Sequence, residues 1–498
     1  MSEITIPPPP NASLGAQDLH LDPLSYTIID LKVFPSGAKL GPGTSPAVGN
    51  SYDLRGQTNT IIITEAIDQN AVHVNIGIKD AVGILDGLRL QGGEKIILHI
   101  RQKIKETMQG SEKKENVTKD IKLELYISDI TSYEKVNFET QTFVIGCVTK
   151  PAYINQLSVL NEEFENTPGE LIKKIAKEPL KISENIIGNF EGQVQSMKVF
   201  TSGAPSQTNN NGYGKPIKGI YPKLRPFTAI NWLLRNANDA GTPVFFYESL
   251  LYGHRLVSWE ELVRAWDPYE GEIYSNSPVQ ENLKNLTRED PGYYDTKKRI
   301  ISVLKSSLGL SKYNDAKEGA YGSRLTAVDI STKEYKSKGN IFEYEEEEMV
   351  KLNDYKPFST KPEFNDGPFH KNKNARNFFV SENKYAFNAK NYHSALELGD
   401  IQKKASYIAN SDVLTHNIVL AGDPVLTAGS KIKLKLWQIQ NFNEEDKLPD
   451  KQELGDQFMS GKFIVKQIQH IFKSEGYIME LVCIKDSSLV DLDEEYTP

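Results

Sequence analysis

Between Tyr26 and Val148 several separate runs alternate in side-chain character at every second position. Thr27, Ile29, Leu31 and Val33 alternate with Ile28, Asp30 and Lys32. Val72, Val74, Ile76 and Ile78 alternate with His73, Asn75 and Gly77, and Ile121, Leu123, Leu125 and Ile127 with Lys122, Glu124 and Tyr126. A period of two with one apolar face marks an antiparallel sheet packed on one side. Shorter runs at Thr60–Ile63, Lys95–Ile100 and Thr142–Val148 sit between turn signals such as Gly92-Gly93. Short strands at regular spacing predict a β-barrel or sandwich over residues 25–150. The polar stretch Glu106–Asp120, with Glu112, Lys113, Lys114 and Glu115 at its tip, reads as a solvated hairpin loop.

The pattern changes after Pro151. Thr167, Pro168 and Glu170 stand where a capping box with a first-turn proline opens a helix, ahead of Leu171, Ile172 and Ile175. Ile230, Leu233, Leu234 and Ala237 keep helical spacing from Pro226, with a stop expected at Gly241. Val244–Tyr247, the turn Tyr252-Gly253-His254 and Leu256-Val257 read as a hairpin, and Ser258 with Glu261 caps a short helix to about Arg264. Residues 151–290 are thus an α/β module, interrupted by a Ser-, Asn- and Gly-rich loop, Thr201–Gly219.

Residues 291–490 open with a charged stretch, Lys297–Leu308, that reads as helix, followed by the alternating Leu325, Ala327 and Asp329. Glu345–Glu348 and His370–Arg376 are opposite-sign runs in loops. Leu398, Ile401, Ala405 and Ile408 form an apolar stripe at helical spacing. Period two then returns at Ile432, Leu434 and Leu436, and again at Tyr477, Met479, Leu481 and Cys483. Phe463, Val465, Tyr477, Met479 and Leu481 are the expected core of this second β domain. Residues 1–24, with Pro7–Pro10, form a Pro-rich arm, and residues 491–498 an acidic tail. The expected fold class is α+β, mainly β, in the order β, α/β, β. Two β-rich segments around a module suggest a structural duplication, although no sequence repeat is visible.

Composition narrows the function. At 498 residues, with about 150 per domain, the chain fits roughly three domains. Its 58 basic and 66 acidic residues leave a net charge of −8, against a surface that grips nucleic acid by neutralising phosphates. Two cysteines, Cys147 and Cys483, exclude a disulfide framework and a Cys-rich zinc site, and both fall in strand-like contexts as buried thiols. The N-terminus lacks the features of a signal peptide, and no apolar window is long enough to span a membrane, so a soluble protein of a reducing compartment is expected.

Catalytic spacings are missing. No G-x-S-x-G elbow, H-E-x-x-H, paired C-x-x-C or EF-hand loop occurs. Asp491–Glu494 lacks the turn glycine of a calcium loop, and Gly212-Tyr213-Gly214-Lys215 lacks the spacing of a phosphate loop. His470 lies in a strand-like run and reads as a hydrogen-bonded structural residue. Of the tryptophans Trp232, Trp259, Trp266 and Trp437, three fall in the α/β module, where an aromatic core explains them better than a sugar platform. No catalytic, cofactor-binding or metal-binding residue is assigned, and no enzyme is expected.

Several segments in order resemble the central baseplate hub of contractile-tailed bacteriophages of the T-even type and their cyanophage relatives. They are Phe227–Leu234 through Gly241–Tyr247, then Gly319–Leu325 with Asp329-Ile330, then Gly461–Val465 to Ile468–His470, and finally Gly476–Leu481 with Lys485-Asp486. Their order and spacing carry the resemblance, which covers most of residues 25–487. It implies two tube-like antiparallel β-barrel domains joined through a small α/β domain. It further implies a homotrimeric ring with pseudo-sixfold symmetry that adapts the hexameric tail tube, or a tube-initiator protein, to a trimeric spike. Baseplate wedge proteins are implied as outer partners, DNA as a passenger through the lumen without specific binding, and the virion tail, assembled in the host cytoplasm, as the location. The competing readings are a cell-wall hydrolase and a carbohydrate-binding protein.

Overall fold

The computed structural model describes residues 24–35, 51–107, 114–182, 213–214, 216–239, 241–264, 273–275, 299–308, 312–329, 333–336, 341–359, 363–364, 367–368, 374–382, 400–436 and 456–493. Residues 1–23 of the Pro-rich arm, Trp266, Trp437, Leu398 and most of loop Thr201–Gly219 lie outside them.

The alternating first third forms β1 (Thr27–Phe34), β2 (Tyr52–Asp53), β3 (Thr58–Ala66), β4 (His73–Asp80), β5 (Lys95–Thr107), β6 (Lys114–Lys135) and β7 (Gln141–Thr149), with a short helix α1 (Ile84–Leu88). All their pairings are antiparallel. β2 pairs with β1, and Leu54 N–H, just after β2, donates to Leu31 O at 2.8 Å. Residues 52–66 therefore act as one bent strand, and the pairings run β1, β2/β3, β4, β7, β6, β5 and back to β1. Val74, Ile76, Ile96, Leu98, Leu125 and Ile145 are fully buried inside this circuit. Each contributes about 1.5–3 kcal/mol by leaving water.

One expectation fails here. Residues 106–107 and 114–120 are strand rather than loop, because β5 and β6 stay paired as far as Thr107 opposite Lys114, and residues 108–113 lie outside the described residues. The described part of the stretch stays in the antiparallel ladder although it lies beyond the apolar alternation.

The module follows as α2 (Lys150–Leu157), β8 (Glu163–Asn166), α3 (Pro168–Lys177), β9 (Ile217–Ile220), α4 (Pro226–Asn236), β10 (Asn238–Asp239), β11 (Thr242–Ser249), β12 (Gly253–Ser258) and α5 (Trp259–Val263). Leu171, Ile172 and Ile175 of α3 pack with Ala229, Ile230 and Leu233 of α4 in their own core. The Ser258–Glu261 capping box forms as expected. The one at Thr167 does not: its hydroxyl makes no cap, and Glu170 reaches Lys173 at 2.7 Å instead. Helix α4 stops at Asn236, short of Gly241, because Ala237 turns extended. Gly241, at φ 85°, makes the tight turn between β10 and β11.

The last third contains β13 (Ile273–Ser275), β14 (Arg299–Leu308), α6 (Lys312–Glu318), β15 (Gly322–Asp329), β16 (Glu334–Lys336), β17 (Ile341–Glu343), β18 (Glu363–Phe364), β19 (Gly367–Pro368), β20 (Asn377–Glu382), α7 (Asp400–Asn410), β21 (Leu414–Ala421), β22 (Lys431–Lys435), β23 (Gly461–Lys473) and β24 (Gly476–Lys485). The expected helix at Lys297–Leu308 is strand β14, hydrogen-bonded along β21. Its Ile300, Ile301 and Val303 are β-branched, and a partner strand outweighs the helical spacing of its charges. Residues 309–413 are an insertion between β14 and β21, which otherwise pair directly.

These strands also pair in a circuit: β13, β14, β21, β24, β23, β22 and back to β13. Numbered by position within each unit, both circuits read first, second, third, sixth, fifth, fourth. They differ in the direction of the first strand, since β13 runs parallel to its neighbours and β1 antiparallel. The circuits meet where β3 pairs with β23, from Thr60 opposite Lys473 to Ala66 opposite Gln467. The protein is thus mainly β, with large antiparallel sheets. Phe463, Val465, Tyr477, Met479 and Leu481 lie in its main core, at most 1% exposed.

Candidate functional site

The polar groups that matter most lie buried where the three parts of the chain meet. Glu65, from β3, is fully buried and sits over the joint with β23. Its Oε2 accepts Leu250 N–H of the module at 2.7 Å, and its Oε1 accepts Ala428 N–H at 3.2 Å. Oε1 also lies 3.3 Å from His470 Nε2, while His470 Nδ1 lies 2.8 Å from the Tyr477 hydroxyl. The chain is satisfied when Nε2–H donates to Glu65 and Tyr477 O–H donates to Nδ1. One carboxylate therefore ties the first β unit, the module and the second β unit together.

Two further carboxylates repeat this role. Glu248 of β11 accepts Val72 N–H at 3.0 Å and the Thr149 hydroxyl at 2.6 Å, fastening the module to the first unit. Asp486, just after β24, accepts the Trp259 indole N–H and Leu352 N–H, each at 3.1 Å. Burial pushes the Asp486 carboxyl above its usual range. From the other side, Lys404 of α7 donates to Leu234 O at 2.6 Å and Ala237 O at 2.7 Å, at the end of α4. A cation at the carbonyl end of a helix also complements its dipole. Burial pulls the Lys404 amine down to about 8.

Carboxylate, imidazole and hydroxyl in series resemble a hydrolytic relay. Here Glu65, His470 and Tyr477 are each 0% exposed, so no substrate reaches the terminal oxygen. Burial also raises the Tyr477 phenol well above its ordinary range. His470 is thus the hydrogen-bonded structural residue expected of it. Both cysteines are buried and free; burial pushes Cys147 up to about 12 and Cys483 further still, away from thiolate reactivity.

The open clefts offer little more. One of about 590 Å³ on the module is lined by Glu162, Glu163, Glu165, Lys173, Lys174 and Lys177. Another of about 620 Å³ between module and first unit carries His99, Lys122, Glu124 and Lys150. Acids and bases alternate in both without a reactive nucleophile. Trp259 is core, and Trp232, 37% exposed, packs edge-on against Phe164 rather than forming a platform. Among the described residues no acid, His or Cys cluster could hold a metal ion, and no helix is long and apolar enough to cross a membrane.

The surface carries more signal. Tyr133, Val136 and Phe138, at the β6–β7 turn, are 54%, 58% and 110% exposed, and Leu304 of β14 is 57% exposed. On α7 two members of the expected apolar stripe, Ile401 and Ile408, are exposed and Ala405 is half-buried. Gln402, Ser406 and Asn410 are buried instead, because Gln402 and Ser406 bond the backbone oxygens of Ser323 and Ala320. Sequence reasoning singled out His470 and Tyr477 but not Glu65, Glu248, Lys404 or the exposed edges; no local motif announces them.

No family model and no curated protein matches the chain. Among solved structures it is similar to a 43 kDa tail protein of prophage MuSo2 from Shewanella oneidensis, at 11% identity and TM-score 0.46, covering 93% of this chain and 99% of that one. It is similar to a tail protein from Neisseria meningitidis MC58, at 11% identity and TM-score 0.44, covering 93% and 97%. An E. coli component of the type VI secretion system, described as structurally similar to T4 bacteriophage tail proteins, matches at 9% identity and TM-score 0.37, covering 94% and 80%. Likenesses this distant assign no role to any residue of this chain.

Proposed function

We propose that this chain is a structural virion protein, the central hub of a contractile-tail baseplate. As a homotrimer it adapts the hexameric tail tube to the trimeric spike. The observation that carries this is the strand order shared by the two circuits. Each circuit is taken as one tube-like β-barrel, so a chain supplies two like barrels and three chains supply six near-equivalent positions. Sixfold and threefold partners can then meet on one ring. The buried carboxylates Glu65, Glu248 and Asp486 support the same reading, since they hold barrel, module and barrel together.

A net charge of −8 per chain suits a ring that lets DNA pass without gripping it. Outer loops face the wedge proteins, and the hub itself catalyses nothing. The test is native mass by light scattering, alone and with the spike protein, followed by symmetry-averaged electron microscopy of the tail tip. The expected mass is about three times 56.0 kDa, with six β units around a lumen of acidic and neutral side chains. A mass of one chain under both conditions, or a lumen lined mainly by Lys and Arg, overturns the proposal.

A further inference from the structure

The joint between the two circuits has a mark on each side. On β3 the register against β4 slips between Thr58 and Thr60, and residues 60–66 then take β23 on their other edge. On β23 the register against β24 slips between Val465 and Gln467, and residues 467–473 are the ones that take β3. A bulge thus opens each half of the joint, twisting the strand toward its new neighbour.

The counterpart strands carry the same marks. β14, second in its circuit as β2/β3 is in the other, slips against β21 between Ile300 and Ser302. β13 pairs only with Arg299 and Ile300, so residues 302–308 are paired on the β21 side alone among the described residues. β6, fifth in its circuit as β23 is, slips against β7 between Ile127 and Asp129. β5 pairs with β6 only as far as Tyr126, so residues 129–135 are paired on the β7 side alone among the described residues. Residues 302–307 and 131–135 are all exposed. Among the described residues two open strand edges remain, each a template for strand addition.

We infer that these edges bind each other between copies: residues 129–135 of one chain add antiparallel to residues 302–308 of a second copy, repeating the β3–β23 joint. Matching the counterparts brings Ser302 toward Lys135 and Leu308 toward Asp129, as Thr60 meets Lys473 and Ala66 meets Gln467. In that register Leu304 stands opposite Tyr133, which covers two large side chains that are more than half exposed in the single copy. The second slips of each strand, Val303/Lys305 and Thr131/Glu134, also face each other. The two edges are different surfaces, so the contact is heterologous and closes through rotation. Three copies then hold six joints, three within chains and three between them. This rests on the ring reading above.

The test pairs Tyr133→Cys with Leu304→Cys in the full chain, followed by mild oxidation; the native thiols are buried. Cross-strand neighbours lie within disulfide reach, so covalent dimers and trimers are expected on a non-reducing gel, with none from either single variant. Glu134→Cys with Leu304→Cys, on opposite faces, should link at least tenfold less. Hydrogen exchange on the wild type gives a second readout: amides in 129–135 and 302–308 should slow at least tenfold in the trimer relative to a diluted single chain. A trimer that neither links nor gains protection there overturns the joint and leaves the ring standing. A wild type that stays at the mass of one chain, with or without the spike protein, overturns both.

Discussion

Glu65 Oε1 and His470 Nε2 lie 3.3 Å apart, both residues fully buried, on adjacent strands of the two β units. They face each other because β3 and β23 pair in register, with Glu65 opposite Ile468 and Ile63 opposite His470. A carboxylate in so dry a place survives only if it is saturated with donors. Glu65 has two backbone N–H groups and the imidazole.

Glu65→Gln tests that economy of donors. The amide keeps one acceptor oxygen and turns its NH2 toward groups that themselves donate. Leaving one buried donor unpaired costs about 1–3 kcal/mol. The thermal midpoint should fall, and amide exchange should speed at Leu250 and Ala428 together. Faster exchange at only one of them places the junction in separate pieces.

Met479 is 0% exposed, and Asp423 N–H points at its sulfur from 3.3 Å. Met479→Ala removes buried volume from the main core and should cost about 2–5 kcal/mol, measured by denaturant titration. A cost below about 0.5 kcal/mol is that of a surface site and contradicts the strand alternation.

Gly422 lies flush on a ring. A Cβ built there meets Tyr477 Cγ and Cδ1 at 2.2 Å, and Gly422 O accepts the Gln102 side-chain N–H at 2.8 Å. Gly422→Ala must therefore push Tyr477 away from His470, with an overpacking cost of about 1–3 kcal/mol. A crystal structure of the variant should show the Tyr477 hydroxyl detached from His470 Nδ1. An unmoved ring contradicts the prediction.

Alternation made the β units legible, since Val72 to Ile78 and Tyr477 to Cys483 each present one apolar face. The Ser258–Glu261 box was equally plain, because a cap is written in four adjacent residues. Strand β14 was not, because Ile300, Ile301, Val303 and Leu304 also fit a helix and the partner Leu414–Ala421 lies more than a hundred residues on. The buried polar side of α7 was hidden for a similar reason: what satisfies Gln402 is the backbone of Ser323, remote in sequence. Glu65, Glu248 and Asp486 look like any of the 66 acidic residues until the fold places donors around them. Periodicity says that a strand exists and which face is apolar. It does not say which strand lies beside it, so the two β-rich segments suggested a duplication while the strand order within each circuit and the open edges had no sequence signal.

Lys404 links charge to stability in a definite direction. Burial lowers its amine from 10.5 to about 8, so between those values the folded chain binds fewer protons at this residue than the unfolded chain. Stability from this group is then fully present above pH 10.5 and is lost as pH falls through 8. The lysine nevertheless serves three carbonyls at the end of α4, those of Leu234, Arg235 and Ala237. Lys404→Met keeps the stem and removes the donors, so it should cost about 1–3 kcal/mol at neutral pH and loosen the last turn of α4. Tyrosine ionisation at high pH affects both proteins alike and cancels in the difference. The wild type's advantage over Lys404→Met should therefore widen as pH rises from 8 to 10.5, read as the gap between their thermal midpoints. A gap that is flat or narrows over that interval contradicts a burial-lowered amine at the helix end.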